Sequence, residues 1–199
     1  MNAYGFEFDP AKFVDSVVCL LARVGPAPRM KVVKLLYMAD RFHVVHYGTP
    51  ILGDRYYRLP YGPVPSRALD LLEAAADLAS GDPEVTPDEV SEQLLKRVEV
   101  KDLGSKMARY VAKEKAPSAD SLAPSEVDAL HATAAKYGGW AAPALSALTH
   151  RHRAYVDTAA SQEIDYRLFF LDEAGACDEA LRYLEFTRAD RALLQHLKS

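Results

Sequence analysis

The stretch from Lys34 to Ser66 reads KLLYMADRFHVVHYGTPILGDRYYRLPYGPVPS, and how it folds decides the class of the whole chain. Its first half is helical. At about 100° per residue, Lys31, Lys34, Met38 and Arg41 fall on one side of a helix, and Val32, Val33, Leu36, Ala39, Val44 and Tyr47 on the other. Asp40 and His43 land on the apolar side, three residues apart and therefore neighbours. An inward carboxylate must be paired or hydrogen-bonded, because burying it alone is costly or neutralises it. Two partners are at hand: His43, and the backbone N–H groups of the Gly53-Asp54 turn. The first gives an acid–base pair. The second makes Asp40 a pin for a loop and His43 a satisfied core histidine, and it is preferred because no nucleophile or metal set accompanies the pair.

After the helix, Gly48 suits a left-handed helix end and Pro50 prevents continuation. Gly53-Asp54 is a turn signal, and Arg55 to Leu59 is short, aromatic and extended. Tyr61 to Ser66 reads as a rigid bend feeding the next helix, with Ser66 or a neighbour as its cap. Tyr56, Tyr57 and Tyr61 combine large apolar area with a polar tip, which fits a domain wall and a protein interface equally well.

Working outward, helices dominate. Asp9-Pro10 is a cap followed by proline in the first turn, Phe13, Val17, Leu20, Leu21 and Val24 form an inward stripe, and Gly25-Pro26 stops it. A helix from about Pro65 to Ala79 carries Leu69, Leu72, Ala76 and Ala79 inward, before a break at Ser80-Gly81-Asp82-Pro83. Thr86-Pro87-Asp88-Glu89 has the form of a capping box for a short helix to about Lys96. Arg97 to Lys101 alternates like a half-buried strand, with Tyr110 to Ala112 as partner and Gly104 between them. Pro124 to Lys136, stopped by Gly138-Gly139, and Ala141 to His150 are helices. In Ser161 to Leu171, residues Ile164, Tyr166, Leu168 and Phe170 alternate like an edge strand. Asp178 to Ser199 is a leucine-striped helix through Leu181, Leu184, Leu193, Leu194 and Leu197, with a second cap at Thr187 and Asp190 where it bends or restarts. The expected fold is mainly α (α+β): a compact multi-helix domain with a small β-hairpin or short antiparallel sheet, and a C-terminal helical extension.

With 49% hydrophobic and 26% charged residues among 199, the composition is that of an ordinary globular domain. The formal net charge of −4 argues against nucleic acid as a partner, since phosphate contacts want a basic face. The Arg151-His152-Arg153 cluster reads as a solvated turn. Cys19 and Cys177 are isolated, as in a reducing compartment. The opening MNAYGFEFDP has neither a basic nor an apolar leader region, and no apolar run approaches the ~20 residues of a bilayer span. A cytoplasmic protein with no membrane contact is expected. No cofactor or metal is called for: phosphate loops, a nucleophile elbow and zinc-protease spacing are absent, and His150, His152 and Asp157 make a poor metal set.

The Lys34–Ser66 stretch resembles the Panacea domain of SocA-type antitoxins and phage-associated GepA-like proteins. The family pattern is K-L-L-Y-x-A-D, then G-x-P-I, an aromatic pair and Y-G-P-V, which stand here as Lys34 to Asp40, Gly48 to Ile51, Tyr56-Tyr57 and Tyr61 to Val64. A weaker match runs through Leu122 to Gly138 and Leu148-Thr149-His150, so that the resemblance spans roughly Phe13 to Arg167. The tryptophan frequent after the family's Thr-His is absent: Tyr155 is nearby, and the chain's only tryptophan, Trp140, lies upstream.

The resemblance implies a bacterial antitoxin that neutralises a cognate toxin by direct contact, in a type II-like system, and in some members delivers the toxin to a Clp-type protease as an adaptor. It implies no enzymatic activity. The Panacea domain would occupy 1–172 and a helical extension 173–199. Candidate partner-binding residues are Arg55, Tyr56, Tyr57, Tyr61, Pro63 and Val64, and the extension helix is a second candidate surface. Lys34, Tyr37, Asp40, His43, Gly62 and His150 are the motif residues. The alternative is a small hydrolase or transferase working through Asp40 and His43.

Overall fold

Asp9 opens the first helix as its sequence suggests. In the computed structural model, which describes residues 4–81, 84, 86–102, 108–173 and 175–196 (except the side chains of 192 and 194–196), Asp9 Oδ1 accepts from the backbone N–H of Ala11 and Lys12, each at 3.0 Å. This starts α1 (Pro10–Val24), and Gly25, with φ 70°, ends it. The second helix, α2 (Arg29–Tyr47), ends at Gly48 in the left-handed conformation. A side chain at Gly48 would meet the Ala180 carbonyl at 2.7 Å, so both backbone and space require glycine there.

The charged side of α2 is not a solvent face. Lys34 is fully buried and Met38 and Arg41 are nearly so, whereas Tyr47, expected inward, is 50% exposed. The reason is position. Helix α2 runs through the middle of the molecule, with α1 and α5 (Pro124–Tyr137) on one flank and the C-terminal elements on the other. It divides two cores. One is aliphatic, built around Val17, Leu20, Val33, Leu36 and Leu72. The other is aromatic, around Tyr37, Tyr56, Tyr166 and Phe169, with the Tyr37 ring 5.5 Å from Tyr56 and 5.6 Å from Phe169.

The bend expected at Tyr61–Ser66 is a strand. Strands β2 (Tyr56–Leu59) and β3 (Gly62–Pro65) form an antiparallel hairpin, with Tyr57 opposite Val64 and Leu59 opposite Gly62. Helix α3 (Ser66–Ser80) follows, and its cap is neither Ser66 nor an adjacent side chain. Asp54, twelve residues upstream, accepts from the N–H of Arg67 at 3.1 Å and of Ala68 at 2.8 Å. The fully buried stripe of α3 is Ala68, Leu71, Leu72 and Ala75; of the expected one, Leu72 is fully buried and Leu69, Ala76 and Ala79 pack partly buried against the core. Helix α4 (Glu89–Arg97) is capped by Asp88 rather than Thr86.

Strands β4 (Val98–Lys101) and β5 (Arg109–Ala112) pair as expected. A two-residue strand β1 (Ala27–Pro28), between α1 and α2, adds an edge to give the order β1-β5-β4. Gly104, Asp82, Pro83 and Leu197 lie outside the described residues.

Beyond α5 come α6 (Ala142–Thr149) and the single turn α7 (Arg153–Val156). The alternating segment after Ser161 divides in two. Glu163 bridges Tyr57, and the Ile164 N–H donates to the Tyr56 carbonyl at 2.7 Å, which extends the hairpin by an edge. Tyr166–Asp172 is instead a 3-10 helix capped by Asp165, burying Tyr166 and Phe169 at its threefold spacing. Helix α8 (Asp178–His196) then runs without a restart: Thr187 is no cap, because its hydroxyl donates back to the Tyr183 carbonyl at 2.9 Å. Ala180 and Leu184 bury against the body of the molecule. The fold is mainly α with a small antiparallel β component.

Candidate functional site

Asp40 is fully buried and uses both oxygens. Oδ1 accepts from the N–H of Ile51 at 2.6 Å and of Leu52 at 3.1 Å, and Oδ2 accepts from the Tyr56 hydroxyl at 2.6 Å. The two amides follow Pro50 rather than belonging to Gly53-Asp54, so the carboxylate pins the loop a turn earlier than expected. Burial pushes its pKa up to about 7, with the three donors opposing.

His43 does not join it. Its Nδ1 faces the Thr49 carbonyl at 2.6 Å, which can only accept, so Nδ1 carries the proton; Nε2, 3.1 Å from the Ser125 hydroxyl, then accepts. Both ring nitrogens are occupied. No acid–base pair forms between Asp40 and His43.

The other motif residues hold the hairpin. Lys34 donates to the Pro63 carbonyl at 2.7 Å with no carboxylate beside it among the described residues, and burial pulls its ammonium down to about 7. Gly62, at φ 102°, leaves room for that ammonium: a Cβ there would lie 2.8 Å from both Lys34 Nζ and Thr149 Oγ1. Tyr37 faces His152 Nδ1 at 3.1 Å inside the aromatic core. His150 Nε2 donates to the Pro60 carbonyl at 3.1 Å, and the Ser146 hydroxyl to the Tyr61 carbonyl at 2.8 Å. The backbone of the hairpin tip is thus fastened from α2 on one side and α6 on the other, and the Tyr61 ring is left outward, 69% exposed.

Beside that ring lies a cavity of about 960 Å³, walled mainly by Pro28, Met30, Tyr61, Trp140, Pro143 and Ala147, with Lys31 and Arg109 also in the wall. Trp140 is 42% exposed. Four separate segments meet here: the start of α2, the hairpin tip, Arg109 at the start of β5, and the Gly139–Pro143 entry to α6. A wide apolar concavity flanked by two accessible aromatic rings has the makings of a protein-docking surface.

The expected partner-binding residues divide. Tyr56, Pro63 and Val64 are buried, because the hairpin lies against α2, and they present nothing to a partner. Arg55 is accessible and bonds Glu163 through Nε and Nη2 at 3.0 Å; Tyr57 is half-buried. Only Tyr61 reaches the groove. Trp140, Met30, Lys31 and Arg109 were missed. The signal in the sequence is the lone tryptophan set between Gly138-Gly139 and Ala141-Ala142-Pro143, neighbours too small to bury it.

Among the described residues, no three His, Cys, Asp or Glu side chains gather as a metal site. His150, His152 and Asp157 are engaged separately, the last with Arg153. No described helix is long and apolar enough to cross a membrane.

Residues 32–155, more than half of the chain, match the family described as antitoxin SocA-like, Panacea domain. Neither a curated protein nor a solved structure matches. The matched span includes α2 from Val32 onward, the hairpin and the Trp140 side of the groove, but not Met30 or Lys31.

Proposed function

The chain belongs to the SocA-like antitoxin family, Panacea domain, and from that premise we propose that it is the antitoxin of a type II-like pair. It neutralises a toxin encoded beside its own gene by direct protein–protein contact, with the Tyr61–Trp140 groove as the main contact and the accessible Arg55 and half-buried Tyr57 extending it. The observation that carries this reading is the pair of large aromatic side chains left outward around an apolar cavity, Tyr61 and Trp140. Exposed aromatics flanking a concavity are the usual anchors of protein interfaces. The test is co-expression with the product of the adjacent gene. Growth is rescued and the two proteins co-purify, and Trp140→Ala weakens the complex by about 2–4 kcal/mol. Absence of both rescue and co-purification would end the proposal.

We assign 1–172 to the antitoxin domain and 173–199 to a helical extension. Helix α8 buries Ala180 and Leu184 yet leaves Tyr183, Phe186 and Leu193 outward, which supports a second surface. A second surface favours the adaptor mode, in which toxin is delivered to a Clp-type protease, because an adaptor holds two proteins at once. In a degradation assay with purified protease, the antitoxin then shortens the toxin's lifetime and Phe186→Ala removes the shortening. A lifetime unchanged or lengthened leaves simple neutralisation. The unpaired Cys19 and Cys177 agree with a reducing compartment, and we place the pair in the cytoplasm.

A further inference from the structure

The charges around the groove are one-sided. Lys31 and Arg109 line it, and among the described residues no Asp or Glu does. Arg29, two residues before Lys31, has Glu73 at 2.8 Å, but Lys31 and Arg109 have no carboxylate within 4.0 Å among the described residues. Lys31 donates instead to the Gly138 carbonyl at the groove's margin, and Arg109 is near enough to push its pKa further down beyond what burial does. Two like charges held close without a counter-ion repel each other, and water screens them only while the groove is open. The same wall carries the start of α6, whose cap is Ala141 and whose first turn has no acidic residue. A neutral apolar occupant would desolvate two unpaired cations. An occupant carrying a carboxylate would neutralise them.

We propose that the groove accepts a polypeptide segment with a bulky apolar side chain and a carboxylate one or two residues away, the apolar group lying between Tyr61 and Trp140 and the carboxylate meeting Lys31 and Arg109. This rests on the groove being the partner-binding surface and adds the chemistry of what enters it.

Because Trp140 is the chain's only tryptophan, its emission reports occupancy. The probes are tryptophan-free pentapeptides, acetylated and amidated, with Leu-Phe-Leu flanked by two glutamates or by two lysines. The glutamate peptide shifts Trp140 emission to the blue and saturates at a Kd at least about tenfold below that of the lysine peptide at roughly 50 mM salt, an advantage that shrinks at about 0.5 M. Arg109→Glu, and Lys31→Glu/Arg109→Glu with unchanged melting temperature, reverse the order. Equal affinities, an order untouched by Arg109→Glu, or no emission change with either peptide would overturn the inference. The antitoxin reading is scored separately by growth rescue. Rescue with no peptide preference removes this inference alone, and a peptide preference without rescue removes the antitoxin reading alone.

Discussion

The interior around Asp40 and the groove around Trp140 handle their polar groups in opposite ways. Around Asp40 the motif's polar groups are answered from within the chain: three donors on one carboxylate, two partners on His43, a carbonyl for Lys34. At the groove, two aromatic rings stand in water and two cations lack a carboxylate among the described residues. The first region is closed and the second is unfinished. The residues that make the family recognisable lie almost wholly in the first, where they fasten a hairpin whose tip then forms part of the second. In this chain the motif builds a platform, and on the proposed reading a non-motif tryptophan supplies much of the contact.

The sharpest way to break that contrast is Asp40→Ala. It strands the Ile51 and Leu52 amides and the Tyr56 hydroxyl in a dry interior, and about 3–5 kcal/mol of stability should go. At ~2–4 °C per kcal/mol for a chain of this size, thermal melts would show a drop on the order of 10 °C or more. A variant melting like the wild type would mean that the hub is not structural. Trp140→Ala should do the reverse: stability stays within about 1 kcal/mol because the ring is already partly wet, while partner affinity falls by about 2–4 kcal/mol.

Smaller effects sharpen the inner half of the comparison. Asp54→Ala removes the remote cap of α3 and should cost about 1–2 kcal/mol in urea unfolding. If no loss appears, Ser66 is capping after all.

The pH dependence separates the two buried ionisable groups. Lys34 titrates near 7 in the fold against 10.5 ordinarily, so between those values the unfolded chain binds the extra proton. Its contribution to stability therefore grows as pH rises from about 7 to 10.5 and is lost as pH falls through 7. Asp40, raised from 3.8 to about 7, behaves the other way: its contribution is full below 3.8 and lost as pH rises through 7. The stability of wild type relative to Lys34→Met should climb with pH in the upper window. Relative to Asp40→Asn it should decline in the lower one. Denaturant titrations at several pH values would expose either slope, and flat differences would place the protonation changes elsewhere.

Local chemistry was legible in the sequence because it acts over a few residues. Asp9-Pro10, the left-handed Gly48, and Pro124 at the head of α5 each marked a helix boundary correctly. What a helix wheel does not record is the number of neighbours. The wheel sets Lys34 and Arg41 opposite the apolar side, yet α2 is surrounded, and these two cations are buried against carbonyl and carboxylate partners. Asp54 capping a helix twelve residues away, and a two-residue β1 containing proline, rest on tertiary approach and leave no local pattern. The groove was the least legible part for the same reason. Met30, Tyr61 and Trp140 belong to three segments, and only the fold brings them to one cavity.

The division between platform and contact surface can be measured in one experiment: the affinity of wild type, Trp140→Ala and Asp40→Asn for the adjacent gene's product, by calorimetry at a temperature where all three are folded. Trp140→Ala should bind at least about thirtyfold more weakly with its melting temperature unchanged, and Asp40→Asn should bind like the wild type despite melting earlier. Full affinity in Trp140→Ala, or a loss confined to Asp40→Asn, would contradict the account.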